Sequence, residues 1–186
     1  MTEVDVLAWI DKNLGAAIQS ACQGTMYEKA LIAAITCRET GGLIAKIAPQ
    51  AVSLNIICKL MTGDYTKRKH DDKIKYHGYG FMQIDVDAFP AFVGSGDWQR
   101  PDKLYPFAIK VLESKRHYII NHFDDLSHEE LLGAIVAAYN AGEGNVVRAI
   151  QGGMDVDRFT AGHNYGKDVF RLRDLFKTKI ENDGSF

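Results

Sequence analysis

The residue with the most chemical promise is Glu39, in the stretch Y-E-K-A-L-I-A-A-I-T-C-R-E-T-G-G over 27–42. The stretch predicts a helix: Leu31 and Ile35 lie one turn apart, and Ile32 and Ala34 widen the apolar face. Continued one turn further, that stripe arrives at Glu39, so a carboxylate occupies a position the pattern reserves for the core. Thr40 and the pair Gly41-Gly42 are expected to end the helix there. Burial and the negative end of the helix dipole would then both disfavour the ionised form. The result would be a carboxylic acid able to donate a proton near neutral pH. The alternative is a glutamate that turns out to water at a frayed end.

Other polar groups stand at comparable places. In G-Y-G-F-M-Q-I-D-V over 78–86, Gln83 and Asp85 are the polar exceptions among the expected core residues Phe81, Met82 and Ile84. Gly78 and Gly80 bracket Tyr79, and glycine permits positive φ and close approach of a ligand to the backbone. Y-N-A-G-E-G-N-V sets Tyr139 and Asn140 at a helix end. Tyr79, Tyr139 and Tyr165 can stack on sugar faces and also hydrogen-bond. Gln83 and Asn140 can bind an N-acetyl amide in both directions. Such side chains, placed where helices stop around a cleft, suit a ligand rich in hydroxyl and amide groups. The segment 64–77, D-Y-T-K-R-K-H-D-D-K-I-K-Y-H, is the most charged. It reads as a solvated loop or exposed hairpin, or else as a basic rim with one aspartate turned inward. Cys37 has no activating histidine nearby in sequence and reads as a packing residue.

The elements that must position these groups are mostly helices. Val6, Leu7, Ile10, Leu14 and Ile18 predict a helix over 4–22, and Thr25 with Glu28 offers a capping box for the helix of Glu39. Pro49 opens a further helix, with Gly63 past its end. A brief strand or extended loop follows Gly80, and 86–106 reads as loop-rich. Helices are then expected over 107–123, from Ser127 with Glu130 as its capping partner, from Asn145 to Ile150, and over 165–180. The fold class is therefore mainly α (α+β), with seven or eight helices and a small β region.

The chain has 186 residues, which suits one domain over 1–186. A formal net charge of -2 provides no whole-protein field toward nucleic acid or an anionic membrane. Three cysteines, Cys22, Cys37 and Cys58, fit neither a disulfide scaffold nor a zinc site. The start, M-T-E-V-D-V-L-A-W-I, is acidic and amphipathic, unlike a signal peptide, and no segment approaches membrane-spanning length. The chain as given is expected to be soluble and to start in the cytosol, unless a leader was removed.

Four stretches taken together, R-E-T-G-G at 38–42, G-Y-G-F-M-Q-I-D at 78–85, A-Y-N-A-G-E-G-N-V at 138–146 and N-Y-G-K-D-V at 164–169, resemble goose-type lysozymes. That family lies within a wider group that includes lytic transglycosylases acting on peptidoglycan. The stretches follow the family's order and span about 25–180. The resemblance implies a lysozyme-like fold with its β region in the substrate cleft. It also implies a bacteriolytic muramidase that cleaves the β-1,4 bond between N-acetylmuramic acid and N-acetylglucosamine. No metal or cofactor, no nucleic acid and no membrane partner are expected. The protein would be a monomer that meets the cell wall outside the cytoplasm after release or secretion.

Carried over by motif, Glu39 matches the acid that protonates the glycosidic oxygen, and Asp85 matches the aspartate that orients the attacking water. The family has a further aspartate shortly before the glycine motif; Asp72 matches best, with Asp71 next. Tyr79, Gln83, Tyr139, Asn140 and Tyr165 fall to the substrate. The chain departs from the family between Glu39 and Gly78, where the connection is longer and includes the helix opened by Pro49. The second carboxylate decides the mechanism. Inverting hydrolases separate their carboxyl groups by about 6.5–9.5 Å and retaining ones by about 5–5.5 Å. A lytic transglycosylase needs no second carboxylate and leaves a 1,6-anhydro product. Asp85 with Asp71 and Asp72 favours hydrolysis with inversion, although Asp85 also reads as a loop-capping aspartate. A non-catalytic wall-binding module that keeps the groove is the remaining alternative.

Overall fold

The computed structural model describes residues 1–50, 52–67 and 74–181. Helix α1 (Glu3–Cys22) starts at a capping box in which the Asp5 amide donates to Thr2 Oγ1 and the Thr2 amide to Asp5 Oδ2. It buries Val6, Leu7, Ile10, Leu14 and Ile18, the residues its spacing marks. Helix α2 (Lys29–Ile47) carries Glu39. Thr25 does not cap it. The Thr25 hydroxyl instead donates to Cys22 O and accepts from the Tyr27 amide, closing the turn between the helices, and Glu28 stands at the N-cap with its side chain paired to Lys177 and not to the helix end.

Nor does α2 stop at Gly41-Gly42; it runs on to Ile47 and passes into a 3-10 turn over Ala48–Gln50. Gly41 lies inside the α1–α2 contact: a Cβ there would stand 3.2 Å from Cys37 Sγ of the same helix and 3.5 Å, an ordinary contact distance, from Val6 Cγ1 of α1. Glu39 therefore sits two turns inside the helix, where the influence of the terminal dipole has faded.

After the short helix α3 (Leu54–Leu60), strands β1 (Thr62–Lys67), β2 (Ile74–Tyr79) and β3 (Ile84–Asp85) form an antiparallel sheet in that order. Strands β1 and β2 pair with Gly63 opposite Gly78 and Thr62 opposite Tyr79, and the centre of the charged segment, 68–73, lies outside the described residues. The region expected to be loop-rich holds α4 (Pro90–Ser95), a 3-10 turn over Asp97–Gln99 and the start of α5 (Pro101–Ile120). Pro90 and Pro101 open their helices, where a missing N–H costs nothing, so here proline starts structure instead of breaking it. Phe107 stacks on Phe92 at 3.8 Å between ring centroids and meets Phe89 edge-on at 5.3 Å, fixing α4 to α5.

Helix α6 (His128–Ala141) begins at the expected Ser127–Glu130 capping box. Gly142, at φ 82°, breaks the chain between α6 and α7 (Glu143–Gln151). Asn145 is not the cap of α7; its Nδ2 donates to Ala141 O at the end of α6. Helix α8 (Tyr165–Phe176) continues into a π turn over Lys177–Glu181. The architecture is the mainly helical α+β one, eight α-helices with a small three-stranded sheet among the described residues.

The chain groups into two compact units: Met1–Ala108 with Arg173–Phe186, and Ile109–Leu172. The first is built on Leu7, Ile10, Leu31, Ile32, Ile35, Phe81 and Met82, all essentially inaccessible. The second is built on Leu112, Ile119, Ile135, Val136, Val146 and Val169. No helix among the described residues is long and apolar enough to cross a membrane.

Candidate active site

In the first unit, Glu39 is half-buried on a helix whose neighbouring positions are almost sealed: Ile35 and Thr36 at 0% exposure and Thr40 at 3%. Two buried threonines, one turn apart, flank it. Thr36 Oγ1 donates back to Ile32 O at 2.8 Å and lies 3.3 Å from both Met82 Sδ and Tyr105 Oη. Thr40 Oγ1 shares its proton between Thr36 O at 3.0 Å and Phe81 O at 3.1 Å. A threonine in a helix interior usually returns its hydroxyl to the preceding turn. Here both also reach the turn at 80–83, which ties the helix of Glu39 to the glycine motif. Phe81 packs against Trp9 as well, with ring centroids 6.1 Å apart. The helix that carries Glu39 and the segment leading to Asp85 are thereby joined by hydrogen bonds.

That segment is held in a specific shape. Gly80, at φ 76°, donates its amide to Met61 O at 2.7 Å, and a Cβ there would meet Trp98 O at 2.9 Å. Gln83 is itself left-handed, at φ 48°, and its side chain folds back over the sheet. Its Nε2 donates to Gly80 O at 2.9 Å, and its Oε1 lies where a Cβ of Gly63 or Gly78 would be, 2.2 and 2.3 Å away. The Gly63–Gly78 cross-strand pair thus makes room for the Gln83 amide. Gly78 was expected to admit a ligand; the close approach it permits is made by a side chain of the same hairpin. Tyr79 is half-buried, edge-on to Trp98 at 5.2 Å.

Asp85 closes the motif on β3 and is exposed. Its Oδ1 accepts the Asp87 amide at 2.7 Å, and its carbonyl accepts the Phe89 amide at 2.9 Å. The loop-capping reading of Asp85 is therefore realised in one of its oxygens. Asp87 Oδ2 in turn lies 3.0 Å from His77 Nδ1. Donor atoms of His77, Asp85 and Asp87 all fall within 4.8 Å of one another, the one group among the described residues with the convergence to hold a metal ion. Asp71 and Asp72 lie outside the described residues.

In the second unit, Tyr139 is half-buried and Asn140 exposed at the end of α6. Asn140 Oδ1 accepts the Ala161 amide at 2.8 Å, so its carbonyl serves the fold and its Nδ2 is the group it can offer elsewhere. Tyr165, at 2% exposure, does not present a ring face to solvent, so the stacking on a sugar expected of it does not fit its burial. The Tyr165 amide donates to Thr160 Oγ1 at 3.2 Å. The following amides, of Gly166 and Lys167, donate to the two carboxylate oxygens of Asp157 at 2.8 and 3.0 Å. Asp157 is 1% exposed and also accepts from Thr160 Oγ1 at 3.0 Å. This carboxylate, with three donors, caps α8 from outside the helix. Glycine suits position 166, because a Cβ there would press both Asp157 oxygens at 3.2 Å. The sequence does not single Asp157 out, since its partners stand nine and ten positions later with no periodic signal between.

Two of the three buried cysteines carry thiols raised by burial, Cys22 and Cys58 each to about 11. Neither is a thiolate near neutral pH, and Cys37 is buried beside Gly41 in the α1–α2 contact. Nucleophilic thiol chemistry at Cys22 and Cys58 is thereby disfavoured.

No family model matches the chain. A curated protein, Lysozyme g of Epinephelus coioides, is 30% identical to it over 118 residues, which is 63% of this chain and 56% of that protein. The chain spans little more than half the length of that relative. At this level the similarity is to goose-type lysozymes over part of the chain.

Proposed function

We propose that the chain is a muramidase of the goose-type lysozyme kind, a single catalytic domain that hydrolyses the β-1,4 bond between N-acetylmuramic acid and N-acetylglucosamine in bacterial peptidoglycan. One observation carries most weight. Glu39 is half-buried one turn beyond the sealed Ile35 and Thr36, on a helix that Thr36 and Thr40 tie to the turn that leads to Asp85. An acid of this reaction needs a partly desolvated carboxyl held rigidly, and a second carboxylate on a separately anchored segment. The partial similarity to Lysozyme g supports the same substrate class.

In this reading Glu39, protonated, gives its proton to the glycosidic oxygen as the bond from that oxygen to the muramic acid C1 breaks. N-acetylglucosamine leaves with a new 4-hydroxyl. A water oriented by Asp85 attacks C1 from the opposite face and passes a proton to a carboxylate, Asp85 or Asp72. The product is a reducing muramic acid of inverted configuration. Tyr79 and Tyr139 stack on sugar rings, and the Gln83 and Asn140 amides supply N–H donors. Tyr165, buried, anchors the start of α8 through the hydrogen bond from its amide to Thr160 Oγ1. The enzyme works as a monomer, without metal or cofactor, on wall outside the cytoplasm.

Product analysis tests the reaction type. Mass spectrometry of digested, purified peptidoglycan is expected to show muropeptides ending in reducing N-acetylmuramic acid. Products 18 mass units lighter, ending in 1,6-anhydromuramic acid, would assign the chain to lytic transglycosylases.

A further inference from the structure

We infer that His77 is a positioning residue for Asp85, acting through Asp87. The inference rests on the reading of Asp85 given above and extends it to a side chain on the neighbouring strand, β2. Strand β2 pairs with β3 so that Gly78 stands opposite Asp85, and the Val86 amide donates to His77 O at 2.9 Å. This places the His77 ring beside the turn that leaves β3. There His77 Nδ1 meets Asp87 Oδ2 at 3.0 Å, and the Asp87 amide meets Asp85 Oδ1 at 2.7 Å.

A carboxylate can only accept, so His77 Nδ1 carries the proton and donates to Asp87. The link needs that tautomer, and it persists whether or not the ring is charged. Its consequence is geometric. With its side chain clamped by His77, Asp87 presents its own N–H to Asp85, which fixes the rotation of the Asp85 carboxylate. One Asp85 oxygen is pinned; the exposed residue turns the remainder of its carboxylate to water. A group that must aim a water at one face of a sugar gains from such fixing, because small misplacements cost large factors in rate.

The His77–Asp87 pair is not a stability device. The two side chains are 31% and 59% exposed, and pairs this open contribute little to folding. Its effect should therefore appear in turnover and not in melting. Orientation of a water also acts after binding, so the loss should fall on kcat and leave KM in place.

The experiment measures kcat and KM on purified peptidoglycan, with melting temperature, for His77→Ala, His77→Asn and Asp87→Ala, each also in an Asp85→Asn background. An asparagine amide can donate from nearly the position of Nδ1. We expect His77→Ala and Asp87→Ala each to lower kcat about tenfold, with KM unchanged and melting within about 2 °C. His77→Asn should restore most of the loss. In the Asp85→Asn background none of the three should lower the rate further. An undiminished kcat in His77→Ala, or an equal loss with and without Asp85, overturns the positioning role while leaving the muramidase reading intact. Full activity in Asp85→Asn alone removes Asp85 from the mechanism, and the inference falls with it.

Discussion

Single residues in this protein show how burial and partner compete for a charge. Glu143, at the first position of α7, is paired with Lys115 and only partly exposed. Burial pulls its pKa upward, but the hydrogen bond from Lys115, a bond from its own amide and the ammonium charge outweigh it and hold the carboxyl below its ordinary range. A depressed carboxyl stabilises the fold above its unfolded pKa, and that contribution is lost as pH falls through the folded value. Glu143→Gln should therefore lower unfolding free energy by about 0.5–1 kcal/mol at pH 7, a range set by the solvent screening of such pairs. In urea melts the difference from wild type should narrow below about pH 4. A gap of the same size at pH 3 would show that the pair is not its source. Glu39 illustrates what was legible at this scale. Its position on an apolar face could be read from spacing, and the half-burial agrees. The expected dipole effect does not hold, because it required a helix end at Gly41-Gly42, and the helix runs on to Ile47. The His77–Asp87 contact was not legible at all, since it depends on strand register and not on neighbours in sequence.

Among elements, strands β1 and β2 and the turn after β2 constrain one another through side-chain space. Gly63, Gly78 and Gln83 form one unit in which two absent side chains accommodate a third that is present. Gly78→Ala should destabilise the protein by about 1–2 kcal/mol, since its methyl would enter the space of Gln83 Oε1 and press against the remainder of that side chain. Shortening the obstacle in Gly78→Ala/Gln83→Ala should recover part of that loss in thermal melts. Additive destabilisation in the double variant would mean that the Gln83 side chain is not what Gly78 accommodates. The sequence marks these glycines as special but not for what, because glycine serves a turn, a ligand or a packed side chain alike. The same ambiguity explains the other departures. Proline opens α4 and α5 in a stretch that looked irregular, and Gly41-Gly42 lies inside α2. Helices with a full apolar stripe and a local cap, α1 and α6, were legible because their signals are complete within the element.

At the scale of the whole molecule, composition and period suffice for the mainly helical α+β class, and the observed eight helices with a small sheet agree with it. The near-neutral charge of -2 leaves substrate attraction to local groups. Of the expected site residues, Glu39, Tyr79, Gln83 and Asp85 belong to the first compact unit and Tyr139 and Asn140 to the second. The claim on which everything else depends is that Glu39 delivers the proton. It is tested by assaying release of reducing ends from purified peptidoglycan with wild type and Glu39→Gln, alongside sedimentation binding to the same material. The amide keeps the shape of the side chain and removes the acid. Wild type should release reducing ends, and Glu39→Gln should do so at a rate lower by about two orders of magnitude or more while binding is retained. A variant as active as wild type, or a wild type that binds the wall and cleaves nothing, would contradict the account.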